Sequence, residues 1–428
     1  MVAFLKGNIL LRLKFNREII AVTLSVLVQI PIAVFLGHYY DERSFIDTGY
    51  LVSSGLNPYQ PHLITVFSNP ALIGVNPIIG YPPLWPLLLG LIYRLSYNII
   101  PNLFLYNFAI KIPVIASNIG LAYVTKNIMQ RLKLPQKRIQ AAWLFLLFNP
   151  FTLLTTAAWG EFDTLIALLC VASLYLLSKG MIVKSSILLS LSIVLKPISL
   201  PLIGLPLLFS TPKNRRKNLL YILISSVVVV TLWFLPFNLL GWMVPSSPTQ
   251  LTSYFKMAGG MTLFNSVEIF QKAAAIPAGL DFLGYIWIPT LILGYFIIYR
   301  NPPKTMPKLV ESAVVLLFIF FLTRSWLSEP NINILLPLLL ILFGSGKISP
   351  KNLHLAWIIP SVFLFFNYAV PQLFFLVYPP IMSAMAAFDV QFGTARFIAR
   401  FAVTVLWYFL AVKILSSITR KKIGLSFN

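Results

Sequence analysis

Apolar residues along this chain neither alternate nor follow a single helical stripe. They come in blocks, and polar residues are confined to the joints between them. Runs at 18–37, 140–158, 163–178, 218–237, 283–299, 309–323, 331–344, 353–367 and 397–416 recur from end to end. Most are long enough to cross a ~30 Å hydrocarbon layer as helices, and the shorter ones imply tilt or local thinning. The pattern predicts an all-α, polytopic integral membrane protein with roughly 10–13 transmembrane or re-entrant helices.

Two stretches break the pattern. The run "YPPLWPLLLGLIYRLSYNII" (81–100) opens on three prolines and contains Arg94, so 81–97 is read as a short interfacial or re-entrant helix. The stretch 185–210 is interrupted at Lys196–Pro197, which predicts two half-length helices meeting at Lys196. Irregular backbone at membrane depth is tolerated only where it lines a cavity or is buried in protein.

Charge then fixes a direction. The net charge of +22 sits in short joints: Arg12, Lys14 and Arg17, then Lys133, Lys137 and Arg138, then Arg215 to Lys217, then Arg300, Lys304 and Lys308, then Lys347 and Lys351. Placing these joints in the cytoplasm satisfies the positive-inside rule and puts both termini there. The basic excess is thus topology rather than nucleic-acid recognition. No small-residue cleavage site follows the first run, which reads as an anchor that stays. One cysteine (Cys170) and three scattered histidines (His38, His62, His354) argue against a disulfide framework and against a Cys- or His-based metal centre.

Only 11 residues are acidic. On this path Asp41, Glu42, Asp47, Glu161, Asp163, Glu268, Asp281, Glu329 and Asp389 fall at or beyond the outer face, and Glu18 and Glu311 near the inner one. Carboxylates contribute little to orientation, so their clustering points to an outward-facing polar site. Outer segments at about 38–80, 239–280 and 368–394 are expected to roof it, loops of such length being mostly functional or mobile. No repeat or separate soluble domain is evident, and 1–428 reads as a single membrane domain.

"DERSFIDTGYLVSSGLNPY" (41–59) followed by "YPPLW" resembles the first outer loop of polyprenol-dependent GT-C glycosyltransferases. Asp41, Phe45, Gly55 and "NPY" keep that family's spacing. "LFNPFTLLTTAAWGEFDTL" (147–165), "LSIVLKPISLPLIGLPL" (191–207) and "TRSWLSEPNINILLPLLL" (323–340) resemble its later elements. The nearest likeness is to the transferase adding the first mannose in glycosylphosphatidylinositol synthesis and to the bacterial phosphatidylinositol-mannoside family. The chain departs from the pattern at Tyr39, where an acidic pair would begin, and at Glu161 and Glu329, where relatives carry an amide and a histidine.

The resemblance implies transfer of a hexose, by family likeness mannose, from a polyprenyl-phosphate donor to a lipid-linked or glycan acceptor, with inversion, on the non-cytoplasmic face. Such chemistry needs a base, cations for the leaving phosphate and an apolar groove for the lipid. Asp41 is the expected base and Lys196 the expected phosphate partner. Arg324, Glu161 and Glu329 are further substrate contacts. Asp47 would bind sugar hydroxyls or cap a short helix, Asp163 would cap the next helix or bind sugar, and Glu42 reads as solvated. Arg396, Arg400 and Lys111 are read as contacts to lipid phosphate, bulk headgroups being favoured. With Tyr39 in place of an acid, no metal is expected; the alternative is a divalent ion on Asp41 with Asp47 or Glu161. The competing reading is a transporter or flippase of lipid-linked sugars without chemistry, against which the halves show no inverted repeat.

Overall fold

The structure is a computed structural model describing residues 2–209, 215–242, 257–265 and 280–419. Its helices are α1 Val2–Phe35, α2 Tyr39–Ser53, α3 Leu84–Leu95, α4 Leu103–Arg131 and α5 Gln136–Ala158. Then follow α6 Asp163–Ser178, α7 Ile182–Leu195, α8 Leu205–Phe209, α9 Arg215–Leu239, α10 Trp287–Arg300 and α11 Met306–Thr323. The last are α12 Leu335–Gly344, α13 Pro350–Phe366 and α14 Ile381–Thr419. Among the described residues seven helices are long and apolar enough to cross a membrane, and five shorter apolar ones accompany them. The protein is a multi-pass, all-α membrane protein. Its perimeter shows the apolar surface that lipid solvates: on α9, Leu219, Leu223, Val227 and Val230 are all exposed.

Both irregular stretches take the forms their prolines impose. Leu84–Leu95 is a 12-residue helix, too short to span. At Lys196 the backbone turns extended (φ −156°, ψ 119°), ending α7 before a 3₁₀ segment Pro197–Leu202. The outer segments are not loop throughout. Tyr39–Ser53 is α2, with Asp41 and Glu42 in the first turn, where the helix dipole favours carboxylates. The end of the third segment is the start of α14, which at 39 residues is about 58 Å long and outruns the ~30 Å membrane core. Most of 239–280 lies outside the described residues. Within it, Gly259–Gly260 pairs in parallel with Trp326–Leu327. Gly260 sits at φ +61°, and a Cβ there would stand 2.3 Å from the Leu327 carbonyl oxygen.

Helix direction sorts the charges. The ends of α1, α5, α7, α9, α11 and α13 bring His38, Trp159, Lys196, Phe237, Arg324 and Asn367 to one cavity, while their starts lie in or beside basic joints. α6, α10 and α14 run the other way, from the cavity toward Lys179, Arg300 and Lys413. At the basic end Glu18 pairs with Lys126 (2.6 Å), and Glu311 pairs with Lys308 (2.8 Å) and Lys347.

Beneath the cavity three helix ends meet and their orphan carbonyls must be satisfied inside the protein. The Asn107 amide on α4 donates to the carbonyls of Ala33 (2.9 Å), Val34 (3.0 Å) and Leu36 (2.9 Å) at the end of α1. One turn on, the Lys111 ammonium donates to the Leu36 carbonyl and to Ala158 at the end of α5 (3.2 Å). It also pairs with Glu42 at the start of α2 (3.5 Å), and both side chains are fully buried. Glu42 is therefore not solvated and Lys111 does not reach lipid phosphate, contrary to both expectations. Gly160 completes the junction: at φ +92°, its Cβ would stand 2.0 Å from the Glu42 carboxylate.

Asp47 also departs from its expected role. It is fully buried beside Arg43 (3.6 Å) and does not line the cavity, so it neither reaches a substrate there nor caps a helix. The i, i+4 step from Arg43 turns it to the inner face of α2. Burial pushes its carboxyl up to about 7, against the pull of Arg43.

Two outcomes follow from these pairs. Lys111→Met leaves Glu42 buried and unpaired and is expected to cost about 3–5 kcal/mol, read as a fall in melting temperature in detergent. Adding Glu42→Gln should recover part of that loss; a purely additive double variant would contradict the pairing. For Asp47, the folded value near 7 lies above the ordinary 3.8, so the fold favours the protonated form. Its stabilisation is complete below 3.8 and is lost as pH rises through 7. Melting temperature should therefore fall from pH 5 to pH 8, and Asp47→Asn should shrink that fall.

Candidate active site

The cavity measures about 1280 Å³. One wall is apolar, with Leu200, Trp233, Phe234, Phe237, Trp287 and Phe320. The rest carries Asp41, Glu161, Lys196, Arg324, Glu329, Arg396 and Arg400. Of the sequence-predicted substrate and phosphate contacts, Asp47, Asp163 and Lys111 do not line it.

Asp41 stands in the first turn of α2, its side chain 30% exposed. Its Oδ2 accepts from the Trp159 indole N–H at 2.8 Å and lies 3.0 Å from His38 Nδ1. The two rings stack at 3.9 Å and 19°. The His38 backbone N–H donates to the Trp159 carbonyl (3.3 Å), locking the start of α2 to the end of α5. Burial acts to raise the Asp41 carboxyl, but His38, Trp159 and Lys196 together outweigh it and hold it below the ordinary value.

Opposite charges gather where α6 begins and α7 ends. The Lys196 ammonium donates to Asp163 Oδ2 (2.8 Å) and Glu161 Oε2 (3.1 Å). The Tyr81 hydroxyl donates to Glu161 Oε1 (2.8 Å), and Asn331 donates to Asp163 Oδ1 (2.9 Å). Lys196 lies over the Tyr81 and Phe162 rings at 5.3 and 5.4 Å, and Phe162 stacks on Trp85 at 4.1 Å. Asp163 is thus not a helix cap. Phe162 holds the cap position of α6 without a side-chain bond, while Asp163 is fully buried under Lys196. Burial pushes Glu161 up to about 8; Lys196 opposes the rise, and Asp41 and Asp163 add to it.

Arg324, which follows α11, leans on the Phe320 ring (5.0 Å) and forms no ion pair among the described residues. Glu329 is 2% exposed and accepts from the Asn367 amide (2.7 Å). Arg396 is bound to Asp389 (3.0 Å) and covers the Tyr368 ring (4.2 Å). With Arg400, which is buried, it faces the cavity rather than bulk headgroups as expected. Glu268 and the side chain of Asp281 lie outside the described residues.

The sequence reading gave no role to His38, Tyr81, Asn331 or Asn367, and none to the Trp159 indole. Only His38 left a signal, as a polar group one helical turn before Asp41 at a helix start. Among the described residues no group of three or more His, Cys, Asp or Glu is placed to hold a metal ion. The cavity carboxylates nearest one another are already engaged by Lys196, His38 and Trp159.

Residues 13–211 match the family model described as alpha-(1->6)-mannopyranosyltransferase, N-terminal domain. The comparison with curated proteins finds no match. Among solved structures the chain is similar to the crystal structure of ArnT from Cupriavidus metallidurans bound to undecaprenyl phosphate, at 17% identity and a TM-score of 0.49. That likeness covers 95% of this chain and 78% of the other. The matched family region contains Asp41, Trp159, Glu161 and Lys196, and so spans the carboxylate side of the cavity. The chain is an integral-membrane glycosyltransferase, similar over residues 13–211 to alpha-(1->6)-mannopyranosyltransferases.

Proposed function

We propose that the protein moves a hexose, mannose on the family match, from a polyprenyl-phosphate donor to a hydroxyl of a lipid-linked or glycan acceptor. Transfer inverts the anomeric centre and Asp41 is the base. One observation carries this reading: a carboxylate held ionised and a guanidinium without an ion-pair partner among the described residues face the same cavity beside an apolar wall.

In a single displacement the acceptor oxygen attacks the anomeric carbon while its proton passes to Asp41. The bond from that carbon to the phosphate oxygen breaks, and its electron pair leaves with the phosphate. Asp41, held below the ordinary carboxyl value, is ready to accept the proton at neutral pH. Glu161, pushed up to about 8, holds a proton there and does not compete. Arg324 stabilises the charge growing on the phosphate, which a planar guanidinium binds in bidentate fashion. Lys196 is already paired with Asp163 and donates to Glu161, so its part is to hold these two side chains in place. The wall from Leu200 to Phe320 takes the isoprenoid tail, next to the lipid-facing α9.

The carboxylates most able to chelate a cation are committed within the protein, and we read transfer as needing no bound divalent ion. The positive-inside rule places the basic joints in the cytoplasm and the cavity on the other face. An introduced cysteine at Leu56 should then react with an impermeant maleimide on intact cells, and one at Lys304 only after permeabilisation. The reverse pattern would overturn the placement.

The chemical test is sugar release from a radiolabelled polyprenyl-phosphate mannose by purified protein. Asp41→Asn should lower turnover about 10²-fold or more with donor binding retained. Arg324→Gln should weaken donor binding by about tenfold or more, the scale of one charged hydrogen bond. Exhaustive chelation should leave wild-type turnover in place. Donor carried across vesicles with no sugar released would favour the transporter reading instead.

A further inference from the structure

Two ring nitrogens converge on one oxygen of Asp41, the indole as an aligned donor and the imidazole as a close contact. Trp159 Nε1 (2.8 Å) and His38 Nδ1 (3.0 Å) both approach Oδ2, and no hydrogen bond to Oδ1 is formed among the described residues. The carboxylate is therefore fixed in one orientation, with Oδ2 turned to the protein and Oδ1 left for a ligand. His38 is itself held firmly. It is 8% exposed, stacks on Trp159, and its backbone N–H is bonded to the Trp159 carbonyl. The residue before it, Gly37, donates its N–H to the Leu373 carbonyl at 2.8 Å, tying the corner to the turn after α13.

We propose that His38 is a positioning residue for the transfer: its Nδ1, 3.0 Å from Asp41 Oδ2, turns to donate to that oxygen, so that Oδ1 is presented to the acceptor hydroxyl as an ionised, oriented proton acceptor. The proposal rests on Asp41 being the base. A hydrogen bond to the charged form favours that form, so the same contact keeps Asp41 ionised as pH falls. The other titratable or charged groups acting around this corner are Lys196 from the end of α7, Glu161 and Tyr81 across the cavity, and Glu42 from α2. Glu329 and Arg400 act from the far side: the charges of His38 and Arg400 both reach Glu329. Of all these, only His38 touches the Asp41 carboxylate.

The stereochemistry supplies a discriminating pair of variants. The amide nitrogen of asparagine can occupy the place of imidazole Nδ1, so His38→Asn keeps a donor for Oδ2. His38→Leu keeps bulk over Trp159 and removes the donor. In the full-length protein, with saturating polyprenyl-phosphate mannose, we expect wild-type kcat to stay flat from pH 7.5 down to about pH 5. His38→Leu should lose tenfold or more in kcat at pH 7.5 with donor KM within threefold. It should also show an acid limb inside that window, displaced upward by about one unit or more, the equivalent of one charged hydrogen bond. His38→Asn should recover most of kcat and return the limb toward the wild-type position. If His38 served structure alone, His38→Leu would lower the melting temperature and the active fraction but leave the limb unmoved; that result would overturn the proposal. So would a His38→Asn variant no better than His38→Leu, with both melting like the wild type. Wild-type turnover in Asp41→Asn would instead remove the base assignment on which the proposal rests.

Discussion

A polypeptide inside a membrane has no water to satisfy the ends of its helices, and the junction beneath the cavity is where that constraint shapes the site. α1 stops and α2 starts beside the end of α5, leaving carbonyls from α1 and α5 at depth. Asn107 and Lys111, one turn apart on α4, take up those carbonyls. The ammonium brought in for this purpose needs a counter-charge, and Glu42 supplies it. Gly160 is the residue that lets the chain pass so close. The pair gives little net stability against an apolar substitute, but each half strands the other if removed. Its use is positional: it sets where α2 begins and therefore where Asp41 stands.

The same economy of charge governs the cavity. Asp41, Glu161 and Asp163 gather around one lysine, and the carboxyls of Asp41 and Glu161 are pushed in opposite directions there. Their surroundings differ in kind. Asp41 receives an indole and an imidazole and remains partly exposed, whereas Glu161 is buried with a phenol and a shared ammonium. Environment divides chemically similar groups into an ionised base and a protonated neighbour, as the proposed chemistry requires.

The position of the break at Lys196 has a comparable logic. Ending α7 there sets Lys196 against the first residue of α6, where Asp163 waits. The 3₁₀ segment that follows returns the chain toward the basic end, so that α9 can rise to form the apolar wall.

What the sequence determined by itself is what depends on local composition and order. Blocks of apolar residues are helices because only helices satisfy their own backbone in hydrocarbon. Basic joints alternate with the acidic ends, so the sorting of helix ends into a cavity side and a basic side was legible, as were the short helix within 81–97 and the break at Lys196. The motif around Asp41 was legible as well, because its spacing lies within one helix and its turn. The partners were not. Whether a carboxylate faces a cavity or a buried cation depends on residues far away in sequence: Glu42 meets Lys111, Asp163 meets Lys196 and Asn331, and Asp41 meets Trp159. Asp47 shows the limit most sharply. Six positions from Asp41 on the same helix, it points about 120° away around the axis, so one carboxylate faces the cavity and the other the core. Local pattern names the groups that carry charge; only the packing of α2, α4, α5 and α6 against one another decides which of them a substrate can meet.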